Sequence, residues 1–192
     1  MATAATSAVT LKAEKINDVI GSRVLNSKEE LLSGSLAADL RDLLEARGVL
    51  VFPQINFTDD EHIAFTKTLG TYTTEQADGT VSKITVNVQL NPDGAEYLKG
   101  SMYWHIDGTM NKVPILASIL ASKVLSPTGG QTEFCNTYAA YDDLPDQDKR
   151  GYEKLRVMHS AWNSLFYYDP EPALNKLQEM MSIGDAELPL VW

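Results

Sequence analysis

The stretch "SMYWHIDGTM", residues 101–110, carries the most specific pattern in the sequence. His105 and Asp107 stand two residues apart, between aromatic side chains and Gly108. In an extended segment, residues i and i+2 project from the same face, so an imidazole and a carboxylate would lie side by side. Such a pair is either a hydrogen-bonded structural feature or part of a metal site, and the tripeptide alone does not decide between them.

The metal interpretation follows from the donor chemistry. A facial triad holds Fe(II) with two histidines and one carboxylate and leaves three positions open, so His105 and Asp107 would supply two of its three ligands. The chain has three histidines, and the other two are His62 and His159. His62 follows a predicted helix cap, where an exposed surface histidine is expected. We expect His159, in "RVMHSA", to be structural or pocket-lining.

Composition and charge exclude several classes of protein. The 192 residues are 44% hydrophobic, which is enough for one sizeable core and predicts a single domain over residues 1–192. With 26 acidic and 16 basic side chains the net charge is -10, which argues against nucleic-acid and anionic-membrane partners. Cys135 is the one cysteine, which excludes an internal disulfide. The start "MATAATSAVT" lacks a secretory signal and is expected to be disordered over residues 1–10, so we expect a soluble, cytoplasmic protein.

Two helices and a strand are predicted in the first 70 residues. Residues 36–48, "LAADLRDLLEARG", place leucines on one helical face and end at Gly48. Residues 49–52, "VLVF", predict a short buried strand. Thr58 and Glu61 have the spacing of a capping box, which predicts a helix that begins there and ends at Gly70.

Strands dominate the predicted second half. Residues 71–83 are polar and predict a loop, and "NPDG" at 91–94 predicts a turn. Strands are predicted at 84–90, 115–125, 132–134 and 155–161, and a short helix begins at Pro145. The fold class is therefore mixed α/β, mainly β.

Four segments in a fixed order resemble a known family. They are "EARGVLVFPQINFTDDEHIAFTKTLG" at 45–70, "WHIDGT" at 104–109, "PTGGQTEFCNTYAAYDDLP" at 127–145 and "LRVMHS" at 155–160. In this order they resemble the taurine/chlorophenoxyacetate dioxygenase (TauD/TfdA) family of Fe(II)- and 2-oxoglutarate-dependent oxygenases. The resemblance implies a double-stranded β-helix, or jelly roll, with flanking helices. It also implies that a small organic substrate is hydroxylated with O2 and 2-oxoglutarate, with release of succinate and CO2.

The resemblance implies roles for six positions, taken residue by residue. They are His105 and Asp107 as Fe(II) ligands, Thr132 and Ser101 as contacts of 2-oxoglutarate, and Tyr103 and Gly108 as residues that line the substrate. Ile106 and Met110 depart from the commoner threonine and phenylalanine of the family motif. Both positions surround the pocket, so the sequence does not name the substrate.

The family also uses a later histidine followed by an arginine, and this chain has no arginine after Arg156. We therefore expect an N-terminal fragment whose jelly roll is incomplete at the C-terminus, with the third iron ligand beyond Trp192. Unpaired strands would expose apolar faces and favour homo-oligomers, and the chain alone would be inactive. Two alternatives stay open: a catalytically inactive jelly-roll binding module, and a cupin-like metal oxygenase that uses His159 as third ligand.

Overall fold

The computed structural model describes residues 9–74, 76–85, 87–90, 92, 95, 98, 103–111, 113–167 and 169–191. The chain forms two compact units. The first comprises Met1–Ser82 and Leu120–Asp143, and the second comprises Lys83–Ile119 and Leu144–Trp192. Helices and strands occur in both units, which confirms the mixed α/β class. The prediction "mainly β" is not confirmed, because helices hold more of the described residues than strands do. The single domain over residues 1–192 stays a prediction.

A small sheet forms the β part of the first unit. Its strands are β1 (Ala13–Lys15), β2 (Ser22–Val24) and β3 (Leu50–Val51). Strand β2 lies in the middle, antiparallel to β1 and parallel to β3. The strand predicted at 49–52 is thus confirmed, but it is shorter than predicted, and Val51 is exposed rather than buried.

Four described helices belong to this unit: α1 (Lys28–Leu32), α2 (Ala37–Arg47), α3 (Asp59–Leu69) and α4 (Thr137–Asp142). The predicted ends of α2 and α3 are confirmed, with Gly48 and Gly70 as the C-caps. The predicted capping box of α3 is also present, because the Thr58 hydroxyl accepts from the Glu61 N–H and the Glu61 carboxylate accepts from the Thr58 N–H. Local sequence signals therefore set these helix ends.

Apolar side chains of the helices build the core of the first unit. Leu31, Leu36, Leu40 and Phe65 are each at most 2% exposed. The Phe65 ring lies 5.3 Å from the ring of Phe52 and 5.4 Å from that of Phe57. Full burial of side chains of this size stabilises a fold by about 1.5–3 kcal/mol each. Burial of these side chains therefore stabilises the first unit.

The second unit contains a two-stranded antiparallel sheet and three described helices. The elements are α5 (Asp146–Tyr152), β4 (Arg156–Ser160), α6 (Ala161–Leu165), α7 (Leu174–Ser182) and β5 (Asp185–Pro189). The helix predicted after Pro145 and the strand predicted at 155–161 are confirmed. Ala161, Leu165 and Met180 form the buried core of this unit.

Three predicted strands are wrong. Residues 115–125 and 132–134, and the described residues of 84–90, belong to no strand or helix. Most of their apolar side chains are exposed, to 92% for Val124 and 76% for Leu90. A strand needs a neighbouring strand to accept and donate its backbone hydrogen bonds, and these segments pair with none of the described strands. The described sheets have three and two strands, so the jelly roll stays a prediction.

Some expectations concern the ends and loops of the chain. Of residues 1–10, the first eight lie outside the described residues, and the Thr10 carbonyl accepts a hydrogen bond from Asn26 Nδ2. The predicted loop at 71–83 is confirmed over its described residues. Most of the "NPDG" turn lies outside them. No helix in the described part of the chain is long and apolar enough to cross a membrane.

Candidate metal centre

The candidate site lies on residues 103–111, in the second unit. This segment is irregular up to Ile106 and then turns, with the Asn111 N–H donating to the Gly108 carbonyl at 3.0 Å. Its two ends are held by packing. The Tyr103 ring lies 5.1 Å from the Tyr167 ring, and Met110 packs against the core around Leu165. Side-chain packing, and not a sheet, therefore positions the segment.

Gly108 is required by the turn. Its φ of +69° lies in the left-handed region that side chains other than glycine rarely adopt. A Cβ at this position would also overlap the side chain of Ile115, whose Cγ1 would lie 2.6 Å away. The observed role of Gly108 is thus to allow the turn and the close approach of Ile115. Its predicted role in lining the substrate stays a prediction.

His105 and Asp107 face each other, as their spacing predicted. The distance from His105 Nε2 to Asp107 Oδ1 is 3.4 Å, and the side chains are 49% and 54% exposed. Each residue has a second partner on its other polar atom. His105 Nδ1 lies 2.7 Å from the Tyr103 carbonyl oxygen, and the Ser118 hydroxyl donates to Asp107 Oδ2 at 2.7 Å. One nitrogen and one oxygen are thereby left facing each other.

This geometry fits a divalent metal ion. Metal–ligand bonds of about 2.1 Å place two donors about 3.0 Å apart at a right angle and about 3.4 Å apart at a tetrahedral angle. A histidine that donates Nδ1–H to a carbonyl keeps Nε2 for a metal, which is the usual arrangement of metal-binding histidines. Nitrogen and carboxylate donors suit Fe(II). The pair can therefore supply two ligands.

A third protein ligand is not found in the described part of the chain. No group of three His, Cys, Asp or Glu side chains lies there in a metal-binding arrangement. His159 is half-buried in β4, opposite Ala186 of β5. His62 lies in the first turn of α3 and is half-buried, so the expectation of an exposed surface residue is wrong. Neither histidine completes the pair with a third donor.

Three further residues were predicted to lie at the site: Tyr103, Thr132 and Ser101. The Tyr103 ring contacts the ring of Tyr167, which borders a shallow, open depression together with Asn163 and Phe166. The predicted role of Tyr103 in lining the substrate stays a prediction. Thr132 is exposed in the first unit, and its proximity to His105 and Asp107 stays a prediction. Ser101 lies outside the described residues.

Sequence reasoning missed Ser118 and Tyr167. Ser118 lies eleven residues after Asp107, within a segment that was predicted to be a strand. Tyr167 follows α6, far along the chain from Tyr103. Neither residue belongs to a motif, and a contact over such a separation has no periodic signal in a single sequence.

Comparison with known proteins identifies the relatives of this chain. The family described as "Taurine catabolism dioxygenase TauD, TfdA family" matches residues 11–189. The chain is 32% identical over 157 residues to the alpha-ketoglutarate-dependent 2,4-dichlorophenoxyacetate dioxygenase of Burkholderia sp. (strain RASC), a match that covers 70% of this chain and 52% of that protein. It is 34% identical over 117 residues to the (S)-phenoxypropionate/alpha-ketoglutarate-dioxygenase of Sphingobium herbicidovorans, covering 58% of this chain and 40% of that protein.

A solved structure shares the fold. It is AAD-2 in complex with Mn(II) and N-oxalylglycine, with a TM-score of 0.70 and 22% sequence identity, over 94% of this chain and 63% of that one. The chain spans about half the length of the curated relatives that it matches. Because the family match extends over nearly all of the sequence, the chain belongs to the taurine catabolism dioxygenase TauD, TfdA family.

Proposed function

We propose that the protein containing this chain is an Fe(II)- and 2-oxoglutarate-dependent dioxygenase that hydroxylates a small organic substrate. The observation that carries the proposal is the pair of donor atoms, His105 Nε2 and Asp107 Oδ1, 3.4 Å apart. Membership of the TauD, TfdA family and the alpha-ketoglutarate-dependent relatives support the same reaction class. The expected fold is the double-stranded β-helix.

His105 and Asp107 are the proposed protein ligands of Fe(II). Bound Fe(II) with 2-oxoglutarate and O2 would supply the oxidant, and the overall reaction turns substrate, 2-oxoglutarate and O2 into hydroxylated substrate, succinate and CO2. The residues of the chain would hold the metal ion and orient its ligands. The Tyr103 carbonyl accepts from His105 Nδ1, which would leave Nε2, facing Asp107 Oδ1, available to a metal ion. With the third protein ligand that the family resemblance implies, a facial triad would leave three positions for 2-oxoglutarate and O2.

Thr132 is the proposed contact of 2-oxoglutarate. Its hydroxyl is exposed and can donate to a carboxylate of the cosubstrate. In Thr132→Ala, the concentration of 2-oxoglutarate that gives half-maximal rate should rise about tenfold, while the Fe(II) requirement changes little. Thr128→Ala removes another exposed threonine hydroxyl of the same loop and is the matched control. An unchanged cosubstrate requirement in Thr132→Ala would contradict this role.

We propose aryloxyalkanoic acids as the substrate class. The Burkholderia relative is named for 2,4-dichlorophenoxyacetate and the Sphingobium relative for (S)-phenoxypropionate. The rings of Tyr103 and Tyr167 are exposed and offer faces on which an aromatic ring can stack. Phenoxyacetate and its chlorinated derivatives are therefore the first compounds to assay.

The test uses the natural gene product that contains this chain. It is incubated with Fe(II), 2-oxoglutarate, ascorbate and phenoxyacetate in air, and succinate and the hydroxylation product are measured together. We expect equal amounts of the two products, and a loss of at least about 100-fold in rate in His105→Ala and in Asp107→Ala, because each removes a metal ligand. His62→Ala removes a histidine outside the pair and should retain activity.

The outcomes separate the alternatives. Succinate formation that persists in His105→Ala would contradict the proposal. Substrate oxidation that needs His159 and proceeds without 2-oxoglutarate would favour the cupin-like oxygenase. Absence of metal binding and turnover, with a bound small molecule, would favour the inactive binding module.

A further inference from the structure

The two oxygens of the Asp107 carboxylate have different partners. Oδ1 faces His105 Nε2 at 3.4 Å, and Oδ2 accepts a hydrogen bond from Ser118 Oγ at 2.7 Å. A hydroxyl–carboxylate bond of this length is short and charge-assisted. Ser118 belongs to the irregular segment that follows Pro114, so the contact joins two parts of the second unit that are separate in sequence.

A second contact holds the segment around Ser118 close to His105 and Asp107. Ile115, three residues before Ser118, packs against the turn at Gly108 so closely that a Cβ on Gly108 would overlap it. Gly108 directly follows Asp107. The missing side chain at Gly108 therefore allows the approach that brings the Ser118 hydroxyl to the carboxylate.

A carboxylate can bind a metal through one oxygen or through both. Chelation by both oxygens would use one coordination position more than binding by Oδ1 alone. A hydrogen bond to Oδ2 lowers its availability as a ligand and restricts rotation of the carboxylate, so that Oδ1 stays directed toward His105 Nε2. The Tyr103 carbonyl fixes the imidazole of His105 in a corresponding way, at 2.7 Å from Nδ1.

We propose that Ser118 is a positioning residue of the metal site, whose hydroxyl holds Asp107 so that it binds a divalent cation through Oδ1 alone. This inference rests on the proposed function, because it takes His105 and Asp107 as metal ligands. It assigns to Ser118 the task of keeping one coordination position free for the cosubstrate. The residue does not touch the metal or the substrate.

The experiment measures Mn(II) binding to the natural gene product by electron paramagnetic resonance of free Mn(II). Removal of a hydrogen-bond partner of a metal ligand weakens metal binding by about 10–100-fold, and we expect about tenfold for Ser118→Ala because the site is half exposed. Ser118→Thr keeps a hydroxyl and should restore the Kd to within about twofold of the unmodified protein. Ser122→Ala removes an exposed serine four residues later and should leave the Kd unchanged.

A spectroscopic measurement separates positioning from a merely structural role. In the infrared difference spectrum of Mn(II)-bound minus metal-free protein, binding through one oxygen gives a wide splitting between the antisymmetric and symmetric carboxylate stretches. We expect this splitting to narrow in Ser118→Ala and to return in Ser118→Thr. If Ser118→Ala does not fold, Ser118→Cys, which keeps the shape but donates weakly, takes its place.

Two results would overturn the proposal, and they are distinguishable. If His105→Ala abolishes Mn(II) binding but Ser118→Ala leaves the Kd and the splitting unchanged, the role of Ser118 is wrong and the proposed function stands. If His105→Ala binds Mn(II) as tightly as the unmodified protein, the assignment of His105 and Asp107 as metal ligands is wrong and both proposals fail.

Discussion

Residues 28–70 and residues 113–134 are both rich in apolar side chains, but they differ in secondary structure and in the burial of those side chains. The first segment contains α1, α2, β3 and α3, and buries Leu31 and Phe65 to 1% exposure. The second contains no helix or strand and leaves Val113 80% and Val124 92% exposed. Apolar content therefore does not distinguish the two segments.

The difference lies in where the backbone hydrogen bonds are made. A helix satisfies most of its N–H and C=O groups within one segment, so it needs no backbone partner elsewhere in the chain. A strand depends on another strand, which can lie anywhere along the chain. An alternating apolar pattern shows that a face can be buried, but it does not name the partner that buries it.

The largest effect is expected from Phe65→Ala, which tests the buried side of this comparison. Phe65 is 1% exposed and contacts the rings of Phe52 and Phe57. Its loss removes these contacts and leaves a cavity, so the free energy of unfolding should fall by about 3–5 kcal/mol. Denaturation by urea, followed by far-ultraviolet circular dichroism, measures the change.

Leu125→Ala is the matched control for the exposed side. Leu125 is 77% exposed, and truncation there should change the free energy of unfolding by less than about 0.5 kcal/mol. An effect of Leu125→Ala as large as that of Phe65→Ala would break the comparison, because it would mean that residues 113–134 are packed in solution.

Gly108→Ala probes the contact that the exposed segment makes through Ile115. Gly108 and Gly129 have nearly the same φ, +69° and +68°, but only at Gly108 would a Cβ meet another side chain. Gly129→Ala should therefore cost about 1–2 kcal/mol for the left-handed backbone alone. Gly108→Ala should cost about 1–3 kcal/mol more because of the overlap with Ile115.

Thermal unfolding and Mn(II) binding should be measured on both glycine variants. Mn(II) affinity should fall in Gly108→Ala, since displacement of Ile115 also moves Ser118 away from Asp107. Equal effects of the two substitutions would show that Ile115 does not pack on the turn.

Local signals explain which parts of the fold could be predicted. The ends of α2 and α3 follow from Gly48, Gly70 and the Thr58–Glu61 capping box, which act within one helical turn. The strand at 155–161 was also predicted correctly, and it has its partner β5 within the same unit. The segments at 84–90, 115–125 and 132–134 were predicted from pattern alone, and the structure gives them no ladder partner among the described strands.

The same division applies to the candidate site. The closeness of His105 and Asp107 could be predicted, because two residues apart along the chain is a local relation. The turn at Gly108 and the bond from Ser118 could not, because they depend on packing between separate parts of the second unit. The sequence therefore indicates the two candidate donors but not the residues that hold them.

Thr58→Ala tests whether the capping box alone maintains the start of α3. The Thr58 hydroxyl accepts from the Glu61 N–H at 3.2 Å. Loss of such a cap costs about 1 kcal/mol, so the urea midpoint should fall by a correspondingly small amount. Thr71→Ala, at an exposed threonine just beyond α3, should have no measurable effect. A Thr58→Ala protein as stable as Thr71→Ala would show that packing of α3, and not its cap, sets the helix start.

The smallest effect concerns the acid sensitivity of the same cap. The pKa of Glu61 is lowered below its usual 4.5, first by the hydrogen bond from Lys28 and then by that from the Thr58 backbone N–H. Lys28 Nζ lies 2.8 Å from Glu61 Oε2, which joins the start of α1 to the start of α3. Because the folded protein favours the ionised carboxylate, the stabilisation is fully present above pH 4.5 and is lost as the pH falls through the lowered pKa.

The difference in unfolding free energy between the unmodified chain and Glu61→Gln isolates this contribution. Glu29, Glu30 and Asp78 also have lowered pKa values, so the total stability of both proteins falls in acid. The contributions of Glu30 and Asp78 cancel in the difference, and that of Glu29 cancels only in part, because the Glu61 charge raises the pKa of Glu29. The difference should be constant at neutral pH and shrink below pH 4.5. It should also be smaller in 1 M salt, because the half-buried Lys28–Glu61 pair is partly screened. A difference that grows as the pH falls would contradict this prediction, because it would show that the ionised Glu61 carboxylate does not stabilise the contact between α1 and α3.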